Sequence, residues 1–242
     1  MRKLGEDIKC RIAFLQDALK ASGTSGFVFG NSGGKDSALA GILCRKACDN
    51  TLSVIMPCQS RRNHQEDKAD ALLLAEQFCI ENLIVDLGGI KESITDLINT
   101  EIKLTDQALI NIAPRLRMTN LYALAASRNA LVVGTGNKSE AYMGYFTKYG
   151  DGAYDINPIA DLTATEIYEY LRFLNAPESI IQKAPSAGLF DGQTDEMEMG
   201  ITYRDLDAYI TTGQGNEELV ARVEKEHRKT EHKRHMPLCY GQ

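Results

Sequence analysis

The stretch FVFGNSGGKDSALA, residues 27–40, constrains the fold of this chain more than any other segment. An apolar run reads as a short buried strand, the glycines as a turn, and the apolar residues after Asp36 as a helix. A strand that passes through a glycine loop into a helix is the opening half of a parallel βαβ unit. It is also a place where anions bind, because glycines without Cβ let backbone N–H groups close on an oxyanion and the helix N-terminus adds partial positive charge. Neither of two familiar glycine patterns fits. A Walker A loop needs G-x-x-x-x-G-K-[S/T], but Gly34-Lys35 is followed by Asp36 and Phe29 stands at the first glycine. The dinucleotide pattern G-x-G-x-x-G needs glycine where Ser32 stands. What remains is S-G-G-K-D-S, with Ser32 and Ser37 as hydroxyl donors, Lys35 as a charge, and Asp36. A carboxylate in an anion nest repels phosphate, and a magnesium ion held between the two gives it a reason to be there.

The rest of the chain extends the βαβ reading. Strands are expected at 26–30, 52–56, 82–87 and 130–134, and helices at 4–21, 36–47, 65–78, 90–98 and 115–128. This alternation predicts an α/β fold: a Rossmann-like open parallel sheet with helices on both faces, in a single domain over residues 1–242. Right-handed crossovers bring the C-terminal ends of all strands to one edge, where ligands of open α/β sheets bind. The loops after Gly30 and Gly134 both fall there. Beyond residue 150 the pattern turns helical, at 163–174, 203–210 and 216–229. The segment APSAGLFDGQ, 184–193, has loop composition and is expected to form a flap.

Composition removes several function classes. The net charge is −6, against a general nucleic-acid binder. No run of 18 apolar residues exists to cross a membrane, and the N-terminus lacks a signal-peptide core, so a cytoplasmic protein is expected. The six cysteines form no CxxC pair, against a structural zinc site. Cys44 and Cys48, one helical turn apart, read as small apolar side chains rather than sulfur carriers.

S-G-G-x-D-S after a buried strand resembles the pyrophosphate loop of the N-type ATP pyrophosphatases, whose fold is the adenine nucleotide alpha hydrolase-like variant of the sheet above. These enzymes cut ATP between the α and β phosphates and adenylate an oxygen of a second substrate. A second stretch chooses among them. GTGNKSEAYMGYFTKYGDG, 134–152, together with TEHKR, 230–234, closely resembles the ammonia-dependent NAD synthetases over nearly the whole chain. The resemblance implies that Gly30, Asn31, Ser32, Gly33, Gly34, Lys35, Asp36 and Ser37 hold ATP, with Thr135 and Ser186. It implies that Asp36 and Glu140 share magnesium. Asn111, Arg115, Lys148, Asp155, Glu198, His232 and Lys233 would contact deamido-NAD, and Asp151 would stand near the ammonia. Asp151 and Lys148 are the catalytic candidates, and a homodimer is implied. Relatives that use glutamine carry an extra domain ahead of the loop, and Gly30 lies too near the N-terminus for one, so free ammonia is the expected donor.

Two positions depart from that family. Ala164 stands where many relatives carry a phosphate-binding lysine, and Ile55 where a relative carries an arginine; Lys35 or Lys183 are the candidates to replace the charge. Two other readings stay open. One is a tRNA-modifying member of the same superfamily, which calls for a basic surface and a reactive thiol. The other is a non-catalytic adenine-nucleotide sensor, which would not need Asp36, Glu140, Lys148 and Asp151 together.

Overall fold

The computed structural model describes residues 3–58, 65–183 and 195–241. Four strands, β1 (Gly26–Gly30), β2 (Thr51–Ile55), β3 (Glu81–Ile84) and β4 (Ala130–Val133), form a parallel sheet in the order β3-β2-β1-β4. The expected α/β sheet is therefore present, with β1 between β2 and β4: Phe29 lies opposite Val133, and Gly30 opposite Val54. Helices α1 (Leu4–Ser22), α2 (Lys35–Ala47), α3 (Glu66–Gln77), α4 (Gly88–Asn99) and α5 (Asp106–Arg128) come next in chain order. They are followed by α6 (Lys138–Met143), α7 (Ala164–Phe173), α8 (Glu178–Gln182), α9 (Asp195–Met199), α10 (Tyr203–Thr212) and α11 (Glu217–Lys229).

The two-residue period of β1 divides the core between the two faces of the sheet. Phe27 and Phe29 point into a cluster with α1, α2 and α7, built on Leu15, Leu39, Leu43 and Ile167. Val28 points the other way, to Leu52, Val54 and the Met118–Leu121–Ala125 stripe of α5. A third cluster, Met143, Ala164, Met199, Tyr203 and Leu206, joins α6 and α7 to the C-terminal helices.

Several boundaries differ from the sequence reading, each for a physical reason. The helix expected from Arg115 begins nine residues earlier, at Asp106, because the Thr105 hydroxyl accepts from the Ala108 amide and Pro114 is carried inside the helix at the cost of one donor. Strand β3 stops at Ile84 and is exposed throughout, since it is an edge strand rather than a buried one. Helices α6, α8 and α9, of five or six residues, are too short to show a helical period in sequence. The 184–193 flap lies outside the described residues. Cys44 is fully buried, and burial pushes its thiol up, which suits a packing residue rather than a nucleophile.

One buried cation fastens α1 to the segment after β4. Arg11 donates from Nε to Asp7 Oδ2 at 2.6 Å, from Nη1 to the Pro158 carbonyl and Asp161 Oδ1, both at 2.6 Å, and from Nη2 to Asp161 Oδ2 at 2.9 Å. The Tyr170 hydroxyl donates to the same Asp7 oxygen at 2.6 Å, so α7 joins the clamp. Arg11→Ala is expected to lower the unfolding free energy by about 2 kcal/mol, with solvent compensating the half-exposed Asp161. Lysine should restore only part of this, because it cannot make the bidentate contact. Urea denaturation of the two variants measures both effects.

Candidate active site

The loop between β1 and α2 is held from behind. Asn31 is buried and donates from Nδ2 to Ser53 Oγ and to the Ala71 carbonyl, both at 3.0 Å, while its Oδ1 accepts from the Gly33 amide at 3.2 Å. Its side chain braces the loop against β2 and α3. Gly33 has φ +71°, and a Cβ there would fall on the Asp67 carbonyl oxygen, so the turn admits only glycine. The Ser32 and Ser37 hydroxyls lie 3.0 Å apart, and the Ser32 amide donates to Ser37 Oγ at 3.3 Å.

The loop after β4, the strand beside β1, meets it. Asn137 caps α6: its Oδ1 accepts from the Glu140 amide, and Glu140 Oε2 accepts from the Asn137 amide, each at 3.0 Å. The remaining Nδ2 of Asn137 donates to Asp36 Oδ1 at 3.0 Å. This fully buried residue escaped the sequence reading of the site, although N-x-x-E is a legible capping signal. Ser139, beside Glu140, donates to Asp207 of α10, which accepts from the Thr165 amide of α7 at 2.8 Å. Three helices thus fix the position of Glu140.

Asp36 and Glu140 share one electrostatic environment. Crowding by protein atoms pushes Glu140 well above the ordinary carboxylate range, and the nearby Asp36 charge pushes it further, against Lys35 and the Asn137 amide. Two such hard oxygen donors, close enough for the Asp36 charge to raise Glu140, suit a divalent magnesium ion. The expected replacements for the missing charges both reach the loop. Lys35 donates to Asp36 Oδ2 at 2.6 Å. Lys183 donates to the Gly33 carbonyl at 3.3 Å, to Asp67 Oδ1 at 3.0 Å, and pairs with Asp70. Ala164 is buried in the third cluster, and Ile55 is buried at the end of β2.

A second group of polar residues lines the same cavity, which measures about 640 Å³. Thr147 donates from Oγ1 to Asn111 Oδ1 at 2.9 Å, and its amide donates to Asp151 Oδ1 at 3.0 Å. Lys148 donates from Nζ to the His232 carbonyl at 2.7 Å. Lys233 donates to the Gly144 and Phe146 carbonyls at 2.8 and 2.7 Å, which seats the C-terminal segment on the 144–151 loop. Burial of the Asp151 carboxyl pushes its pKa up, although the residue as a whole has exposed surface; the Thr147 amide, Arg117 and Lys233 oppose the shift. Burial likewise pushes Lys233 down. Arg115 donates to the Lys148 carbonyl at 3.3 Å.

The cavity therefore gathers most of the expected residues. Gly30, Asn31, Ser32, Gly34, Lys35, Asp36, Ser37, Thr135 and Glu140 line it, as do Asn111, Arg115, Lys148, Asp151, Glu198, His232 and Lys233. Tyr145 donates to Glu198. Asp155 is not part of this wall: its oxygens accept from Tyr122 Oη at 3.1 Å and from the Val132 amide at 2.8 Å. Ser186 lies outside the described residues. Among the lining residues that went unread in the sequence, Arg117 donates to the Met56 carbonyl at 3.2 Å, Asp67 sits under the loop, and Asp195 accepts from Tyr203 Oη at 3.0 Å.

Raised Glu140 makes a stability prediction whose sign is fixed. Between the ordinary glutamate value and its higher folded value, the native state holds more protons than the unfolded one, so this group's contribution falls as pH rises. Glu140→Gln, which can still accept from the Asn137 amide, is expected to raise the melting temperature of the nucleotide-free protein by a few degrees at about pH 8 and by less at about pH 5. Calorimetry at the two pH values reads it.

Comparison with known proteins agrees with this arrangement. The family described as NAD synthase matches residues 7–237. An NH(3)-dependent NAD(+) synthetase of Carboxydothermus hydrogenoformans is 45% identical over 229 residues, 93% of each chain. The structure of an NMN synthetase from Francisella tularensis superposes with a TM-score of 0.94 at 37% identity, covering 100% of both chains. That of an NH3-dependent NAD synthetase from Campylobacter jejuni gives 0.82 at 31% identity and 99% of both.

Proposed function

The chain belongs to the NAD synthase family, and from that premise we propose that it amidates the nicotinate carboxylate of deamido-NAD with ammonia, releasing AMP and pyrophosphate from ATP. The observation that carries this reading is a single cavity lined by the glycine loop, by the neighbouring Asp36 and Glu140, and by Lys148, Asp151, His232 and Lys233. A carboxylate is a poor electrophile because its leaving group would be oxide. Transfer of AMP onto its oxygen replaces that group with a phosphate ester. Asp36 and Glu140 would hold magnesium, which would supply charge neutralisation for the departing pyrophosphate.

The chain's own residues do the positioning. The loop amides and the α2 N-terminus face the phosphates. The 144–151 loop and the C-terminal segment, locked together by Lys148 and Lys233, would place the nicotinate end. Ammonia attacks the acyl carbonyl and AMP leaves. Asp151 would hold ammonium and take its proton; its raised pKa makes it a better acceptor than an ordinary carboxylate. No helix among the described residues is long and apolar enough to cross a membrane, and the use of ATP as co-substrate supports a cytoplasmic setting for the proposed reaction.

A homodimer is part of the proposal. Helix α4 buries none of its residues, and Leu83, Ile84, Ile90, Leu97 and Ile102 leave an exposed apolar face on β3, α4 and the turn after it. Leu97→Glu, at a side chain 70% exposed, should leave the fold intact and shift sedimentation from dimer to monomer.

The likeness to the Francisella tularensis structure favours a second reading of the acceptor, nicotinate mononucleotide in place of the dinucleotide. One assay tests both. With ATP, magnesium and ammonium, deamido-NAD should yield NAD, AMP and pyrophosphate, and the ratio of its kcat/KM to that for the mononucleotide selects the acceptor. ADP and phosphate as products would overturn the adenylation step.

A further inference from the structure

Lys35 is only 4% exposed, yet its ammonium has one hydrogen-bond partner among the described residues, Asp36 Oδ2 at 2.6 Å. The faces of two aromatic rings complete its surroundings. Nζ lies 5.5 Å from the Tyr203 centroid and 5.8 Å from that of Tyr168. The other oxygen of Asp36 accepts from Asn137, the cap of the helix that carries Glu140. The ammonium is therefore seated on one of the two carboxylates that would hold the metal, in a desolvated box of tyrosines, and Glu140 acts on it electrostatically. Within the phosphate loop its one hydrogen bond goes to the Asp36 carboxylate.

We propose that Lys35 is the resident counter-ion of the Asp36–Glu140 pair, and that it keeps a divalent cation out of the site until ATP arrives. This rests on the reading of those carboxylates as the metal site. Without the lysine, two facing carboxylates in a sheltered cavity form a strong divalent-cation site on their own. With it, an entering cation must take Asp36 from the ammonium and then remain beside a like charge. The triphosphate changes the balance. Its oxygens give the flexible lysine stem another anion to turn to, and they bring ligands for the metal. Metal loading becomes conditional on nucleotide, so the cation enters with ATP rather than ahead of it.

The test uses the whole purified protein and manganese as the probe, with free Mn2+ counted by electron paramagnetic resonance. Binding is measured alone and with α,β-methylene-ATP, which cannot be cut at the α–β bond. The wild type should bind Mn2+ weakly alone and much more tightly with the analogue. Lys35→Met should bind Mn2+ at least about tenfold more tightly without nucleotide, and its gain from the analogue should shrink. Lys35→Arg, which keeps the charge, should behave as wild type. Adding Glu140→Gln to Lys35→Met should abolish the gain, which locates it at this pair. Nucleotide-free affinity in Lys35→Met within about twofold of wild type, or weaker, overturns the proposal, as does a gain that survives Glu140→Gln. Circular dichroism verifies the fold, and Lys35→Gln carries the same comparison if the methionine variant does not fold. The readout needs no amide transfer, so it stands or falls separately from the acceptor and the reaction.

Discussion

The 3.0 Å hydrogen bond from Asn137 Nδ2 to Asp36 Oδ1 is the contact on which the site depends. It joins the loop after β1 to the loop after β4, which lie about a hundred residues apart in sequence and side by side in the sheet. Asn137 can make it only because its own oxygen is already engaged as the cap of α6. Capping fixes the helix, the helix fixes Glu140, and the spare amide protons fix Asp36. A single buried side chain thereby sets the relation between two carboxylates that would otherwise repel each other apart.

Stability and reactivity pull against each other at this point. Crowding and the Asp36 charge raise Glu140, so an ionised Glu140 costs the empty protein free energy at neutral pH. Lys35 offsets part of that cost from within the loop. Around it, the fold supplies rigid support: Asn31 braces the loop from β2 and α3, Asp207 ties α6 to α7 and α10, and Arg11 clamps α1 to the 158–161 segment. A strained charge cluster is tolerated where the surroundings hold it in one arrangement.

The βαβ order was readable because it rests on local apolar pattern, and Asp36, Glu140, Lys148 and Asp151 were readable as candidates because they fall in short motifs that the fold brings to one cavity. Other features were not. Asn31 reads as one more loop residue, and only packing reveals that its amide faces Ser53 and Ala71 rather than the loop opening. Arg117 reads as a surface residue next to Arg115, yet the helix begins at Asp106 and turns it inward toward the Met56 carbonyl. Asp155 follows Asp151 by four residues, but the chain turns between them and ties it to Tyr122 and Val132. Strand β3 reads as buried by its apolar residues, and its place at the sheet edge exposes them.

The sequence by itself determined the class of sheet and the kind of anion the first loop receives, because glycine, helix start and apolar period act over a few residues. It also determined the family, because two long motifs occur together. Tertiary structure alone decided which charges meet. The pairing of β1 with β4 brings Asp36 to Asn137 and Glu140, and the packing of α7 and α10 against the loop seats the Lys35 ammonium between Tyr168 and Tyr203. Electrostatic energy depends on distance and on exclusion of water, and neither is a property of positions along a chain.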